Sequence, residues 1–143
     1  MIVASILRSK GHDVHGIDAA ATVEAAIRAL DIHHVGALVV TAEVEPLSGV
    51  IFERDIVRGL AQQGASLLSR PVADVMTRDV RTCAPTDSID KVMAIMTGRR
   101  QRHIPVVDNG QLCGIVSIGD VVKARLDDLE LEARMLQDYI QSR

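Results

Sequence analysis

A chain that writes one segment twice is constrained to fold as two like units, and here the segment is GVIFERDIVR, repeated as GIVSIGDVVK. Each copy has a glycine, an apolar run, and an aspartate opening an apolar-basic stretch. Gly49 and Gly114, Asp55 and Asp120, and Arg58 and Lys123 all lie 65 positions apart. The preceding segments match as well. Thr22 and Ser88, both N-cap residue types, each open an apolar series at i, i+3, i+4, i+7. The first series is Val23, Ala26, Ile27, Leu30 and the second is Ile89, Val92, Met93, Met96, now 66 positions apart. Two strand-like runs follow, Ala37 to Val40 and Ile104 to Val107, each leading through a turn (EVEPLSG, DNGQLCG) into the repeated segment. Helix, strand, turn, strand, helix occurs twice, in a tandem repeat of about 60 residues.

At 143 residues the chain is long enough for a proper core, whereas units this short are marginal alone. The two repeats are therefore expected to share one. A hydrophobic content of 48% excludes a disordered chain, and with Phe52 and Tyr139 as the only aromatic residues the core must be aliphatic. A net charge of -3 without a long basic run argues against duplex binding, and the missing aromatics argue against single-strand binding. No apolar run approaches the length of a membrane span. The start, MIVASILRSKG, lacks the basic region of a secretory signal, so a cytoplasmic protein is expected. Cys83 and Cys113 fit no CxxC pattern and suit two buried thiols in a reducing compartment. No GxSxG, HExxH, P-loop or Rossmann glycine pattern is present. No base is arranged beside either cysteine, so no catalytic residue and no enzyme activity are expected.

Along the chain, Ala4 to Leu7 resembles Ala73 to Met76 as a short apolar turn leading into its repeat. The first copy then carries extra residues, with His12 and His15 beside Asp13 and Asp18. These are surface histidines or, joined by a cysteine, part of a metal loop; a metal needs three or four settled ligands, and none is expected. A helix is predicted over about Val23 to Ile32, closed by His33 and His34 at its negative end. A second helix follows Asp55 and stops at Gly64. The boundaries predicted are repeat 1 over 1–64, a linker over 65–72, repeat 2 over 73–126 and a helical tail over 127–143. Arg99, Arg100 and Arg102 lie between the helix opened by Ser88 and the strand at Ile104, and either cap that helix or face a ligand. In the tail, Val122, Leu126, Leu129, Ala133, Leu136 and Ile140 are spaced 4, 3, 4, 3, 4, an a/d stripe. Such a helix lies on its own domain or packs on a partner subunit.

The repeated unit closely resembles the CBS domain, and the whole resembles a stand-alone CBS tandem, a Bateman module, over roughly Met1 to Leu126. The residues that carry the resemblance are GVIFERD with Asp55, RHIPVV from Arg102 to Val107, and GIVSIGD with Asp120. The fold it implies is α/β (α+β): two β-α-β-β-α repeats related by a pseudo-twofold, plus a C-terminal helix. It further implies a regulatory module holding an adenine nucleotide between the repeats, AMP first, with ATP, NAD(H) or S-adenosylmethionine as alternatives, and sensing energy or redox state. By the same resemblance the site near Asp120 takes in Ser117, Ile118, Arg102, His103, Ile104 and Pro105, with Val35 and Gly36 from the first repeat. The site near Asp55 takes in Phe52 and Arg54, with Thr82 and Cys83 from the second. The partners implied are the nucleotide, a second copy in a homodimer, and a protein effector, with no nucleic acid and no membrane.

Elementary chemistry allows two roles for each aspartate. A carboxylate at a helix start is an N-cap worth about 1 kcal/mol, or it accepts from neighbouring ligand hydroxyls at roughly 1.5–3 kcal/mol per charged hydrogen bond. The two sites are also expected to differ. Phe52, Glu53 and Arg54 precede Asp55 where Ser117, Ile118 and Gly119 precede Asp120.

Overall fold

Thr22 and Ser88 start matching helices: each hydroxyl accepts the backbone N–H three residues on, from Ala25 at 3.1 Å and from Lys91 at 3.1 Å. In this computed structural model, which describes residues 1–142, those helices are α2 (Val23–His33) and α4 (Ile89–Arg99). Both end on a left-handed residue, His34 and Arg100, each at φ 53°. The other helices are α1 (Val3–Lys10), α3 (Glu53–Gln63) and α5 (Ile118–Gln141). The strands are β1 (Gly16–Asp18), β2 (Ala37–Thr41), β3 (Gly49–Phe52), β4 (His103–Asp108) and β5 (Gln111–Ser117). The fold is thus mixed α/β with a C-terminal helix, and α2 runs one residue beyond the expected Ile32. No helix among the described residues is long and apolar enough to cross a membrane.

The contacts gather the chain into two units. The first, Asp13–Arg81, holds a three-stranded sheet in which β1 runs parallel to β2 and β2 antiparallel to β3. All four residues of β3 and the first four of β2 are buried, as expected of strands covered on both faces. One face packs Leu38, Val40 and Ile51 on Val23, Ala26, Leu30 and Ile56, while the other sets Ala37, Val50 and Phe52 on Leu47 and Val80. Residues 65–72, read from the sequence as a linker, contribute Leu67 and Val72 to this core, both fully buried. Gly49 is needed for close approach: a Cβ there would sit 2.6 Å from the Thr77 carbonyl oxygen. Thr77 and Val50 exchange backbone hydrogen bonds at 2.9 and 3.0 Å.

The second unit joins the two ends of the sequence, Met1–His12 with Thr82 onward. Its hairpin β4–β5 turns at Asn109-Gly110, both at positive φ (52° and 78°), the pair favoured by a tight turn matched to strand twist. Cys83 bridges the outer side of β4, donating its N–H to Pro105 and accepting from Val107. Val3, Ile6 and Leu7 of α1 enter the core with Ile89, Val92, Met96, Ile104, Val106, Val116 and Val121. Gly114 lies against Leu7 as Gly49 lies against Met76 and Thr77: a Cβ on Gly114 would come 2.7 Å from Leu7 Cδ2. The repeated glycine is therefore a packing requirement in both copies. Ala4 to Leu7, the short apolar turn that resembles Ala73 to Met76, packs in the unit of Thr82 onward although its sequence lies within residues 1–64.

Helix α5 buries Val121 and Ala124 and then leaves the unit behind. Every residue from Leu131 to Ser142 is exposed. The stripe read from the sequence stays uncovered, with Leu126 at 55%, Leu136 at 61% and Ile140 at 57% exposure.

Candidate functional site

The repeated segment builds the same local device in both units: a strand ends, a helix begins, and an aspartate sits at the third helical position. In the second unit the Ser117 hydroxyl accepts the Asp120 N–H at 3.2 Å, and Asp120 Oδ2 accepts the Ser117 N–H at 2.8 Å. This reciprocal capping box satisfies two backbone donors. It holds a carboxylate at the positive end of a long helix. The β4–β5 register sets His103 opposite Ser117, Ile104 opposite Val116 and Pro105 opposite Ile115. Arg102 accepts the Ile118 N–H through its carbonyl at 2.8 Å. Arg102, His103, Ser117, Ile118 and Asp120 thus meet at one end of the hairpin. Ile104 and Pro105 are buried, with Ile104 in the core.

Asp120 has a further partner. Lys10, the last residue of α1, donates from Nζ to Asp120 Oδ2 at 2.7 Å and to the Ile115 carbonyl at 3.0 Å. The two side chains are 33% and 22% exposed. Burial pushes the Asp120 carboxyl upward, but the hydrogen bonds from Lys10 and Ser117 outweigh it and hold the group below the usual carboxylate range. A concavity of about 270 Å³ opens beside this pair between α1 and α5, lined in part by Ser5, Ser9, Lys10, Asp120, Lys123 and Asp127.

In the first unit, Asp55 Oδ2 accepts the Phe52 N–H at 2.9 Å, and Thr77 Oγ1 lies 3.1 Å from both carboxylate oxygens. Glu53 donates its N–H to the Gly36 carbonyl at 3.1 Å, repeating the bond from Ile118 to Arg102. The Arg54 guanidinium stands over the Phe52 ring at 6.0 Å, the outer limit of a cation–π contact. Val35 and Gly36 border a groove of about 730 Å³ between α2 and α3, walled by Ile27, Leu30, Ile56, Val57 and Leu60 with Asp31 and Glu53 beside them. That groove is roomier than the one beside Asp120, but its charged groups are acidic and suit a phosphate poorly.

Arg102, His103, Ser117 and Ile118 lie at the end of the hairpin that carries Asp120, and Phe52 and Arg54 lie beside Asp55. Val35 and Gly36 lie in the unit of Asp55, and Thr82 and Cys83 in that of Asp120. Thr82 is exposed, whereas Cys83 is a core residue whose thiol burial pushes up to about 12. The sequence reading missed Lys10 and Thr77. Each reaches its aspartate across a long stretch of chain, 110 positions for Lys10 and 22 for Thr77, with no local pattern to announce it. The histidines considered for a metal are engaged otherwise. His12 Nδ1 lies 2.8 Å from the Cys113 carbonyl, and His15 stacks on His33 at 3.9 Å. Among the described residues no three His, Cys, Asp or Glu gather as a metal site requires.

A pair of strand-helix units, each with an aspartate closing its own helix start, defines the class as a two-unit α/β protein. The CBS-domain family model matches residues 72–127. Over 97% of its length the chain is 37% identical to the mitochondrial CBS domain-containing protein CBSX3 of Arabidopsis thaliana, spanning 71% of that protein. The chain belongs to the CBS-domain family. Among solved structures, a CBS-domain protein from Agrobacterium tumefaciens superposes with a TM-score of 0.85 at 44% identity, covering 87% of this chain and 92% of that one. The CBS domain pair of protein MJ0100, solved in complex with 5′-methylthioadenosine and S-adenosyl-L-methionine, shares the fold at a TM-score of 0.74. It is 24% identical and covers 90% of this chain and 98% of that chain.

Proposed function

We propose that the chain is a non-catalytic regulatory module that binds an adenine nucleotide, with AMP first and ATP or NAD(H) as alternatives, and reports energy or redox state to a protein effector. One observation carries this reading: Asp120 is a partly exposed carboxylate, fixed by its own helix start and set beside a concavity bearing two lysines. Such a group accepts from the paired hydroxyls of a ribose while cations take up phosphate. The MJ0100 pair, whose ligands both carry adenosine, supports the same ligand class. The different partners of the two aspartates, a cation at Asp120 and a hydroxyl at Asp55, favour two sites of unequal affinity. A reducing compartment such as the cytoplasm suits the two free cysteines.

The test is a thermal-shift panel of AMP, ADP, ATP, NAD+, NADH and S-adenosylmethionine on the wild type and Asp120→Ala. A ligand at about 100 times its dissociation constant adds roughly 2.7 kcal/mol, which raises the melting temperature by several degrees. Asp120→Ala should weaken binding at least tenfold, about 1.4 kcal/mol. A wild type that none of these compounds stabilises would retire the reading.

The uncovered stripe on α5 favours, as a second property, self-association through a second copy of the chain. Aligned in parallel, two such helices set Arg125 of one near Glu130 of the other, an attractive pairing at the flanking positions. A chain ending at Asp128 should stay folded yet sediment as a monomer where the full chain sediments as a dimer. An unchanged sedimentation coefficient per chain would place self-association elsewhere.

A further inference from the structure

The Lys10–Asp120 pair raises a question of ligand choice that the capped aspartate alone leaves open. A ribose diol reads only the sugar, and it is common to nucleosides, nucleotides and sulfonium adenosines. What distinguishes them is charge at the 5′ position, so discrimination needs a fixed cation near the diol acceptor. Lys10 is such a cation. Its Nζ is anchored by Asp120 Oδ2 at 2.7 Å and by the Ile115 carbonyl at 3.0 Å, while its side chain remains one-third exposed. Three of its aliphatic neighbours in sequence, Val3, Ile6 and Leu7, are buried in the core and fix α1 in place. The lysine is therefore delivered to the carboxylate by a helix that cannot drift.

The adjoining concavity has the chemistry of an anion subsite. Lys123 lies one helical turn after Asp120 on α5, and Ser5 and Ser9 present hydroxyls from α1 across the same space. Its two acids, Asp120 and Asp127, balance the two lysines. A bound monophosphate takes the local charge below zero and each further phosphate takes it lower, with no cation left to offset it among these four groups, so the subsite suits one phosphate better than three. The volume of about 270 Å³ falls just under the usual 300–1,000 Å³ of a complete small-molecule pocket. It has room for a ribose and one phosphate, with the base lying outside it.

Building on the nucleotide-binding reading, we propose that Lys10, seconded by Lys123, is the specificity residue that makes the Asp120 site select a ribose bearing a 5′-monophosphate over uncharged or cationic adenosines. On binding, the diol takes the carboxylate and the ammonium turns to the phosphate. A lysine suits this exchange because its four-carbon stem lets the charge move while its root stays fixed.

The experiment is calorimetric titration of the full chain with AMP and with adenosine, on the wild type, Lys10→Met, Lys10→Arg and Lys123→Met. The wild type should prefer AMP at least tenfold. Lys10→Met should lose at least tenfold in AMP affinity with adenosine changed less than twofold, and Lys10→Arg should retain most of the preference. Lys123 is exposed, so Lys123→Met keeps its fold and should show the same asymmetry at a smaller size. Equal loss for both ligands, or tighter AMP binding in Lys10→Met, would make Lys10 a structural partner or a competitor of the ligand and overturn the proposal. A wild type that binds AMP and adenosine equally overturns it too while leaving the nucleotide reading intact. A wild type that binds neither overturns it as well, and the nucleotide reading is then decided by ATP, NAD+, NADH and S-adenosylmethionine in the thermal-shift panel.

Discussion

Leu7→Ala should destabilise the protein by about 3 kcal/mol, within the range of roughly 2–5 kcal/mol for a buried leucine cut to alanine. The residue lies far in sequence from most of the core it enters. Yet it is 1% exposed and packs in a core with Ile104, Val106 and Val116. For a unit of this size each kcal/mol is worth about 4–8 °C in melting temperature, so a fall on the order of 10–20 °C is expected in calorimetry. Ile32→Ala provides the comparison, because Ile32 is 70% exposed and surface changes usually stay within about 0.5 kcal/mol. A fall of under about 3 °C for Leu7→Ala would mean that α1 is not part of the cooperative unit. The contact with Gly114 allows a sharper check. Gly114→Ala alone drives a methyl into Leu7, whereas in the double variant Leu7→Ala has opened the space. The two changes should therefore be less than additive, as expected of residues in direct contact.

Gly49→Ala should be comparably damaging in the other unit, for a different reason. The added Cβ meets the Thr77 carbonyl oxygen at 2.6 Å and the Met76 sulfur at 3.0 Å. A side-chain end can swing aside, but a backbone oxygen moves only with its chain. That chain is held by the paired hydrogen bonds between Val50 and Thr77. Overpacking of this kind costs typically 1–3 kcal/mol, and the rigid neighbour places Gly49→Ala at about 3 kcal/mol by denaturant titration. Displacing Thr77 also pulls its hydroxyl from Asp55, so any ligand bound there should weaken in parallel. Gly98→Ala is the control: it lies in α4 with nothing within 4 Å of the added methyl, and should stabilise by roughly 0.4–1 kcal/mol. Equal stabilities for Gly49→Ala and the wild type would show that the strand can shift without penalty.

Much of this arrangement is legible in the residues because it is local. Thr22 and Ser88 cap helices three residues ahead, Gly64 ends α3 at φ 65°, and each aspartate closes a capping interaction within its own turn. Such bonds depend on neighbours in sequence, so the sequence displays them. The repeat extends this reach, since a pattern seen twice identifies the strands that flank each aspartate. The groups that complete the sites are another matter. Lys10 and Thr77 sit just past short apolar turns, in segments whose local pattern names no partner, and what they touch is decided when the chain closes on itself. Residues 65–72 show the same limit. SLLSRP has the composition of a connector, yet Leu67 is fully buried, because the surface of α3 around Gly59 leaves a hollow of its size.

The discontinuous unit also fixes an order of events during synthesis. Translation delivers residues at roughly 5–20 per second, and domains tend to fold as they emerge. The unit of Asp13–Arg81 is complete once its own residues have left the ribosome. The helix carrying Val3, Ile6 and Leu7 emerges before it, yet its partners Ile104, Val116 and Val121 are made only after it. For on the order of ten seconds at that rate this helix has no surface to settle on, and its three apolar side chains are what a nascent-chain chaperone would meet. Val3, Ile6 and Leu7 are made ahead of the Asp13–Arg81 unit yet reach their places after it.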